Sequence, residues 1–405
     1  TGDFAPYLYK TTDYGKSWEK ITDGIEAEHF TRVVREDPEK EGLLYAGTET
    51  GMYISFDAGE NWKPFQLNLP IVPITDLALK ENNLIVATQG RSLYIIDDLS
   101  MLHQAIEAED TDAVHLYKPK DTYRMDGGSR KSNSAGTNHP SGVMTYFHLP
   151  EYDAEKDSIS LTYFDAKNDT IKSYSTKGGK DKLNVKEGAN QFNWDMTYDG
   201  AERLPGMILW WASTQGPQQI PGEYTVKLNV NGTDYTQPYT VLADPRSEAT
   251  VADMQAQFDF ISDVNETVDH AHQSIKKIRN INAQLSSFEK QYKDNPDTKE
   301  LREKSKTLRE DLEEIEKALY QTKNRSGQDP LNFPIKLTNK LAHLNSLVSM
   351  GDFAPTDQDI AVKNELTAKI DAELNKFDTL VSDEVTAFNE AFNEMKLNYL
   401  FVEEE

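Results

Sequence analysis

The 405-residue chain contains no cysteine, so disulfide scaffolds, thiolate zinc sites and cysteine nucleophiles are excluded together. That absence does not choose between the cytosol and an exported location. The chain is also short of base: 43 Lys and Arg stand against 68 Asp and Glu, a formal net charge of −25. Such an excess of acid works against nucleic-acid backbones and anionic membranes, which need a compensating basic patch, and no run of basic residues supplies one. No stretch approaches the roughly 18–20 apolar residues that span a bilayer as a helix. What the chain does hold is 37% hydrophobic and 10% aromatic residues, enough to build real cores. At roughly 100–200 residues per domain its length predicts two to four domains. The first residue is Thr1, no signal peptide follows it, and a strand-like run begins at 6–10. The expectation is a processed chain or a piece of something longer.

The first hundred residues carry an internal repeat. LYKTTDYGKSW (8–18) is matched by MYISFDAGENW (52–62), so that Thr11, Asp13, Gly15, Ser17 and Trp18 align with Ser55, Asp57, Gly59, Asn61 and Trp62, each displaced by 44 residues. A third, degenerate copy lacks the turn but keeps the strand before it: LLYAGTETGMY (43–53) is echoed by NLIVATQGRSLY (83–94). A period of about 41–44 residues suits a four-stranded propeller blade. Within the turn, a short hydroxyl residue and an Asp can bond nearby backbone amides, and Gly15 and Gly59 supply a conformation that other residues resist. Trp18 and Trp62 are expected to fold back between neighbouring blades. Asp13 and Asp57 invite an acid–base reading, but their spacing repeats with the blade, which predicts turn staples.

The pattern S/T-x-D-x-G-x-x-W resembles the Asp-box, or BNR repeat, of sialidases, sortilin-type receptors and several glycan-degrading propellers. The wider stretch 7–102 resembles large exported bacterial proteins, common in Bacteroidetes, described as sortilin-like or "glycosyl hydrolase" BNR proteins. The segments that carry this are REDPEKEGLLYAGTETGMYISFD (35–57), LNLPIVPITDLAL (67–79) and ATQGRSLYIIDDLS (87–100). Those proteins usually have a His where this chain has Gln89, so a role held by that His does not transfer. The resemblance implies an exported protein, at the cell surface, in the periplasm or outside the cell. A propeller of this type needs six to ten blades and about two and a half are present here. The missing blades are expected before Thr1 or on a separate polypeptide, because the N-terminal edge would otherwise be an open sheet.

Residues 1–100 are therefore expected to be the last blades of an Asp-box propeller. Residues 101–141, rich in Asp, Gly, Ser and Asn with GGSRKSNSAGTNHP (127–140) at their heart, are expected to be a linker or long surface loop. Between 142 and 245 six alternating segments, at 144–149, 158–165, 170–176, 190–198, 222–232 and 236–244, are spaced like sandwich strands. The last hairpin turns at Asn231-Gly232, and Trp194 is the expected core plug. PGEYTVKL followed by a closing strand and DPR resembles the small Ig-like domain that follows such propellers, similar to the flagellar hook-cap Ig fold. Trp210 and Trp211 could stack on sugar or pack between domains, the second being expected. From 246 to 405 the period becomes about 3.6. One apolar stripe runs from Val251 through Met254, Phe258, Ile261, Val264 and Val268 to Phe288. Pro296 breaks it, two further helices follow, and Thr356 with Asp359 opens a fourth. Long amphipathic helices with short connections predict an antiparallel bundle. DPLNFPIKLTNKLAHLNSLV…PTDQD resembles the C-terminal region of the same exported proteins, so the resemblance spans nearly the whole chain.

Few residues invite chemistry. His270 and His272 are two apart on a helix, point to different faces and have no third ligand spaced to join them, so both are expected at the surface. The acidic stretches EAED (107–110), REDLEEIE (309–316) and the EEE tail lack the regular oxygen spacing of a calcium loop, so no cofactor is expected beyond weak calcium binding. A sialidase needs three arginines converging on the substrate carboxylate, and the spacing of Arg32, Arg35 and Arg91 matches no such triad. Arg91, in TQGRS, is expected on a strand near where blades converge and is, with Gln89, the candidate binding contact. The expected function is a non-catalytic binding and scaffold component whose partners are proteins or the missing blades, with glycan as a further ligand class. The alternative is an exported glycoside hydrolase whose carboxylates lie mainly in missing blades.

Overall fold

The computed structural model describes residues 2–107, 112–125, 136–179 and 181–397. Within them the protein is a mixed β plus α molecule, with several sheets followed by a helical C-terminal region. Of the acidic stretches, residues 108–110 and 403–405 lie outside the described residues, as do 127–135 of the Gly/Ser-rich segment.

The N-terminal strands follow the repeat. β1 (Tyr9–Lys10) and β2 (Glu19–Lys20) flank the first turn as a short ladder. The 6–10 run yields only these two strand residues, because the ladder it joins is two residues deep. β3 (Thr31–Glu36), β4 (Leu44–Thr48), β5 (Met52–Ser55) and β6 (Lys63–Pro64) form a four-stranded antiparallel sheet in sequence order. β7 (Ile74–Lys80), β8 (Asn83–Thr88) and β9 (Leu93–Ile96) form a three-stranded one. The two sheets share a core of Val33, Tyr45, Met52, Ile54, Ile74, Leu77, Leu84 and Val86.

The segment 101–141 holds more order than its composition suggests. α1 (Ser100–Glu107) lays Leu102 and Ile106 against the β3–β9 core. β10 (His115–Leu116) pairs with β12 (Val143–Leu149), and β11 (Thr122–Arg124) runs parallel to the last strand of the region. β13 (Ile159–Phe164), β14 (Thr170–Ser175), β15 (Gly188–Trp194), β16 (Gly222–Val230) and β17 (Thr233–Ala243) complete two sheets, ordered β10-β12-β15 and β11-β17-β16-β13-β14. Their alternating inward residues share one core, in which Trp194 is fully buried with its ring 4.4 Å from that of Tyr163. The β16–β17 hairpin turns at Asn231 (φ 52°) and Gly232 (φ 92°), two successive left-handed residues that match the twist of the strands they join.

The helical region opens with a capping box: Thr250 and Asp253 exchange side-chain and backbone hydrogen bonds at the start of α2 (Val251–Gln291), satisfying two amides the helix leaves unpaired. Asn295 and Pro296 end this helix and lead into α3 (Lys299–Leu319). α4 (Leu337–Val348) follows, then α5 (Asp357–Leu380), which Thr356 and Asp359 cap as their spacing predicts. The apolar stripe of α2 departs from expectation at its start, where Val251 is exposed and Gln257 is buried. A five-residue π-helical segment, Val381–Val385, joins α5 to α6 (Thr386–Glu394). The extra residue in its turn rotates the stripe, so that Phe388 and Phe392 reach Phe288 of α2, at ring distances of 5.2 and 5.9 Å. No described helix is long and apolar enough to cross a membrane.

Candidate functional site: two matched turns and the face they leave open

The two repeat turns are built from the same atoms. In the first, Thr11 Oγ1 donates to Asp13 Oδ1 (2.9 Å) and accepts from the amide of Gly15 (2.8 Å), and Asp13 Oδ1 accepts the amides of Lys16 and Ser17 (both 2.9 Å). In the second, Ser55 Oγ donates to Asp57 Oδ1 (2.7 Å) and accepts from Gly59 (2.9 Å), while Asp57 Oδ1 accepts the amide of Asn61 (2.8 Å). Tyr14 and Ala58 sit at φ 59° and 57°, followed by Gly15 and Gly59 at 86° and 91°. The amide and hydroxyl of Ser17 hold the Asp13 carboxyl down at about 2, and the side chain and amide of Asn61 lower that of Asp57. Hydrogen bonds to the ionised form do this, and they leave both carboxylates bound up in their own turns.

The two tryptophans part company. Trp62 is 3% exposed and packs with Leu8, Ile25, Ala46 and Tyr53. Its amide donates to Asp23 O (2.8 Å) and its indole Nε1 to Ile21 O (2.9 Å). Gly24, at φ 94°, lies so close that a Cβ there would come within 2.1 Å of the Trp62 carbonyl oxygen. The second turn is thereby sealed onto the first unit. Trp18, its equivalent, is 61% exposed, and Phe4, Tyr7, Tyr9 and Tyr14 of the same unit are exposed with it. The expectation that both tryptophans pack between units therefore holds for Trp62 alone, since nothing among the described residues stands against Trp18 as the first unit stands against Trp62.

The arginines do not converge. Arg32 pairs with Glu49 (Nε to Oε2, 2.6 Å), and Arg35 reaches across the sheets to Asp76 (2.7 Å). Arg91 lies in the turn between β8 and β9 instead of on a strand, exposed beside exposed Gln89. Two left-handed residues, Gly90 and Ser92 at φ 84° and 67°, carry the chain outward there.

His272 overturns the surface expectation: it is fully buried, while His270 is exposed. Its Nδ1 donates to Glu202 O at 2.6 Å and its Nε2 has no partner. Burial lowers its pKa, so the imidazole is held neutral. Trp211 is 73% exposed with its backbone at φ 52°, and Trp210 beside it is half-buried. Asn339 brackets Trp210 by accepting its amide (2.6 Å) and donating to its carbonyl (2.9 Å), and His343 donates to the Trp211 carbonyl.

One polar cluster gave no signal in the sequence. Buried Asp37 accepts from the hydroxyl of buried Tyr45 (3.1 Å) and lies 2.8 Å from His103 Nε2, tying α1 to the first sheets. Its members are 8 and 66 residues from Asp37, so no local spacing reveals it. Among the described residues no group of three or more His, Asp or Glu could hold a metal ion.

Comparison with known proteins brings no match: no family model, no curated protein and no solved structure is similar enough to this chain to place it.

Proposed function

We propose that the protein is a non-catalytic binding and scaffold component, in which the Trp18 face receives a further β unit of the kind that itself receives Trp62. The observation that carries this is the contrast between two equivalent indoles, one sealed by a preceding unit and one exposed on a unit that also exposes Phe4, Tyr7, Tyr9 and Tyr14. In this reading β1–β9 are the last blades of an Asp-box propeller completed by other blades, in the same polypeptide or on a partner. The two-sheet region is an Ig-like spacer and the helices form a bundle that packs as a platform. The acidic surface and the sortilin-like resemblance of the repeats favour an exported setting. The glycoside hydrolase reading gains nothing from Asp13 and Asp57, whose oxygens are taken up by their own turns.

The test is the intact mass of the protein purified from its own cells, with every accompanying chain identified. A mass far above 45.9 kDa means completion within one polypeptide, and a mass near it with a second chain attached means completion by a partner. A lone chain of that mass refutes the proposal.

A further inference from the structure

Where the two-sheet region meets the helices, a cleft of about 600 Å³ opens between the ends of β11 and β17, the first turns of α2 and the connection from α4 to α5. Its lining includes Arg124, Arg246, Asp244, Asp352, Gln218 and Gln257. That volume lies in the range of roughly 300–1,000 Å³ in which proteins hold small molecules.

Arg124 is the anomaly. It is the last residue of β11 and only 3% exposed. Its Nε donates to Gln218 Oε1 (3.3 Å) and its Nη2 to Gln257 Oε1 (2.6 Å), but the nearest carboxylate, Asp352, stands 3.5 Å from Nη2. Among the described residues Nη1 has no partner. A guanidinium carries five N–H donors, and a buried donor without an acceptor costs free energy that most native sites avoid. The surroundings are fixed: Gln257 donates its own amide to the carbonyls of Val348 and Gly351, so it cannot swing away to serve Nη1. Arg246, by contrast, is well matched, with Nε and Nη2 both on Asp244 at 2.9 and 2.6 Å.

We propose that this cleft binds a small monocarboxylate that also carries hydrogen-bond donors, with Arg124 as the anchor that receives the carboxylate. A carboxylate oxygen supplies the acceptor that Nη1 lacks, in the charge-assisted geometry guanidinium favours. Asp352 on the same wall repels a second negative charge, which disfavours a phosphate or dicarboxylate, whereas Asp244 is already taken up by Arg246. The Asp352 carboxylate accepts from a hydroxyl or ammonium group, so hydroxy acids and amino acids share the chemistry that fits. A ligand there would touch both regions at once and tighten their junction.

The experiment is calorimetric titration of the full chain with lactate, glycine and inorganic phosphate, alongside the thermal unfolding midpoint with each. Saturable binding of lactate or glycine with a raised midpoint is expected, phosphate being weaker by about tenfold or more. The tighter of the two organic probes assigns the hydroxy-acid or amino-acid class. Arg124→Lys, which keeps the charge and removes the fork, should weaken the bound probe by about tenfold. Acetate, titrated as a further probe that carries no donor, should bind Asp352→Asn about threefold more tightly than the unaltered chain through loss of a competing anion, the unfolding midpoint of the variant without ligand showing that it still folds. No saturable binding of either organic probe, or affinities unchanged in Asp352→Asn, would overturn the proposal.

Discussion

The indole Nε1 of Trp62 donates to the carbonyl of Ile21 at 2.9 Å, so a single side chain closes one turn unit onto the unit before it. Trp62→Ala should therefore cost about 3–5 kcal/mol, as large-to-small changes at buried aromatic positions do. Trp18→Ala, at an exposed position, should stay within about 0.5 kcal/mol. Hydrogen exchange of β4 and β5 against urea measures both, and equal effects would contradict the assignment of Trp62 as the seal.

The Asp13 carboxyl, held at about 2 by Ser17 against an ordinary 3.8, should titrate near 2 by NMR. The sign follows from linkage: a lowered folded-state value contributes stability that is present above the unfolded value and lost as the pH falls towards 2. Ser17→Ala removes one hydroxyl donor and should raise the midpoint. A midpoint near 3.8 in the unaltered chain would mean the turn is not hydrogen-bonded as described.

His272 makes a second pH signature. Its buried imidazole resists protonation, while in the unfolded chain it takes up a proton below about 6.5. Stability is therefore undiminished above that value and falls as the pH drops below it, with a slope of at most about 1.4 kcal/mol per pH unit for one proton. His272→Leu should abolish that part of the slope in the helical region. An unchanged slope between pH 5 and 6.5, a window set about the ordinary imidazole value, would assign it elsewhere.

Trp211 holds a left-handed backbone while exposed, a conformation that costs an ordinary residue about 1–2 kcal/mol. Trp211→Gly should be neutral or stabilising by about 1 kcal/mol, and Trp211→Val should destabilise. Thermal unfolding of the two variants decides it. A loss in Trp211→Gly would mean that the indole supports the fold through contacts its exposure does not suggest.

Local features were legible in the sequence and distant ones were not. The side-chain bonds of Thr11 and Asp13, and of Ser55 and Asp57, close within their own turns, so the spacing of Thr11, Asp13 and Gly15 contains that geometry. The Asn231-Gly232 hairpin and the Thr356–Asp359 cap are local in the same way. The burial of His272 depends on Glu202, 70 residues away, and helix periodicity cannot show what covers a face from outside. Arg124 was hidden for a related reason. Its strand is three residues long and gains its partners from β17, α2 and the segment after α4, so its own neighbourhood reads as loop. The opposite fates of Trp18 and Trp62 share one local sequence pattern and differ only in what stands beside it.

Hydroxyl-radical footprinting of Trp18 and Trp62, in the assembly purified from its own cells and in the isolated 405-residue chain, tests the central claim most directly. The account predicts that Trp62 is protected in both, and that Trp18 is oxidised in the isolated chain but protected in the assembly. Trp18 oxidised equally in both would contradict it, because the face on which the proposed function rests would then have no occupant.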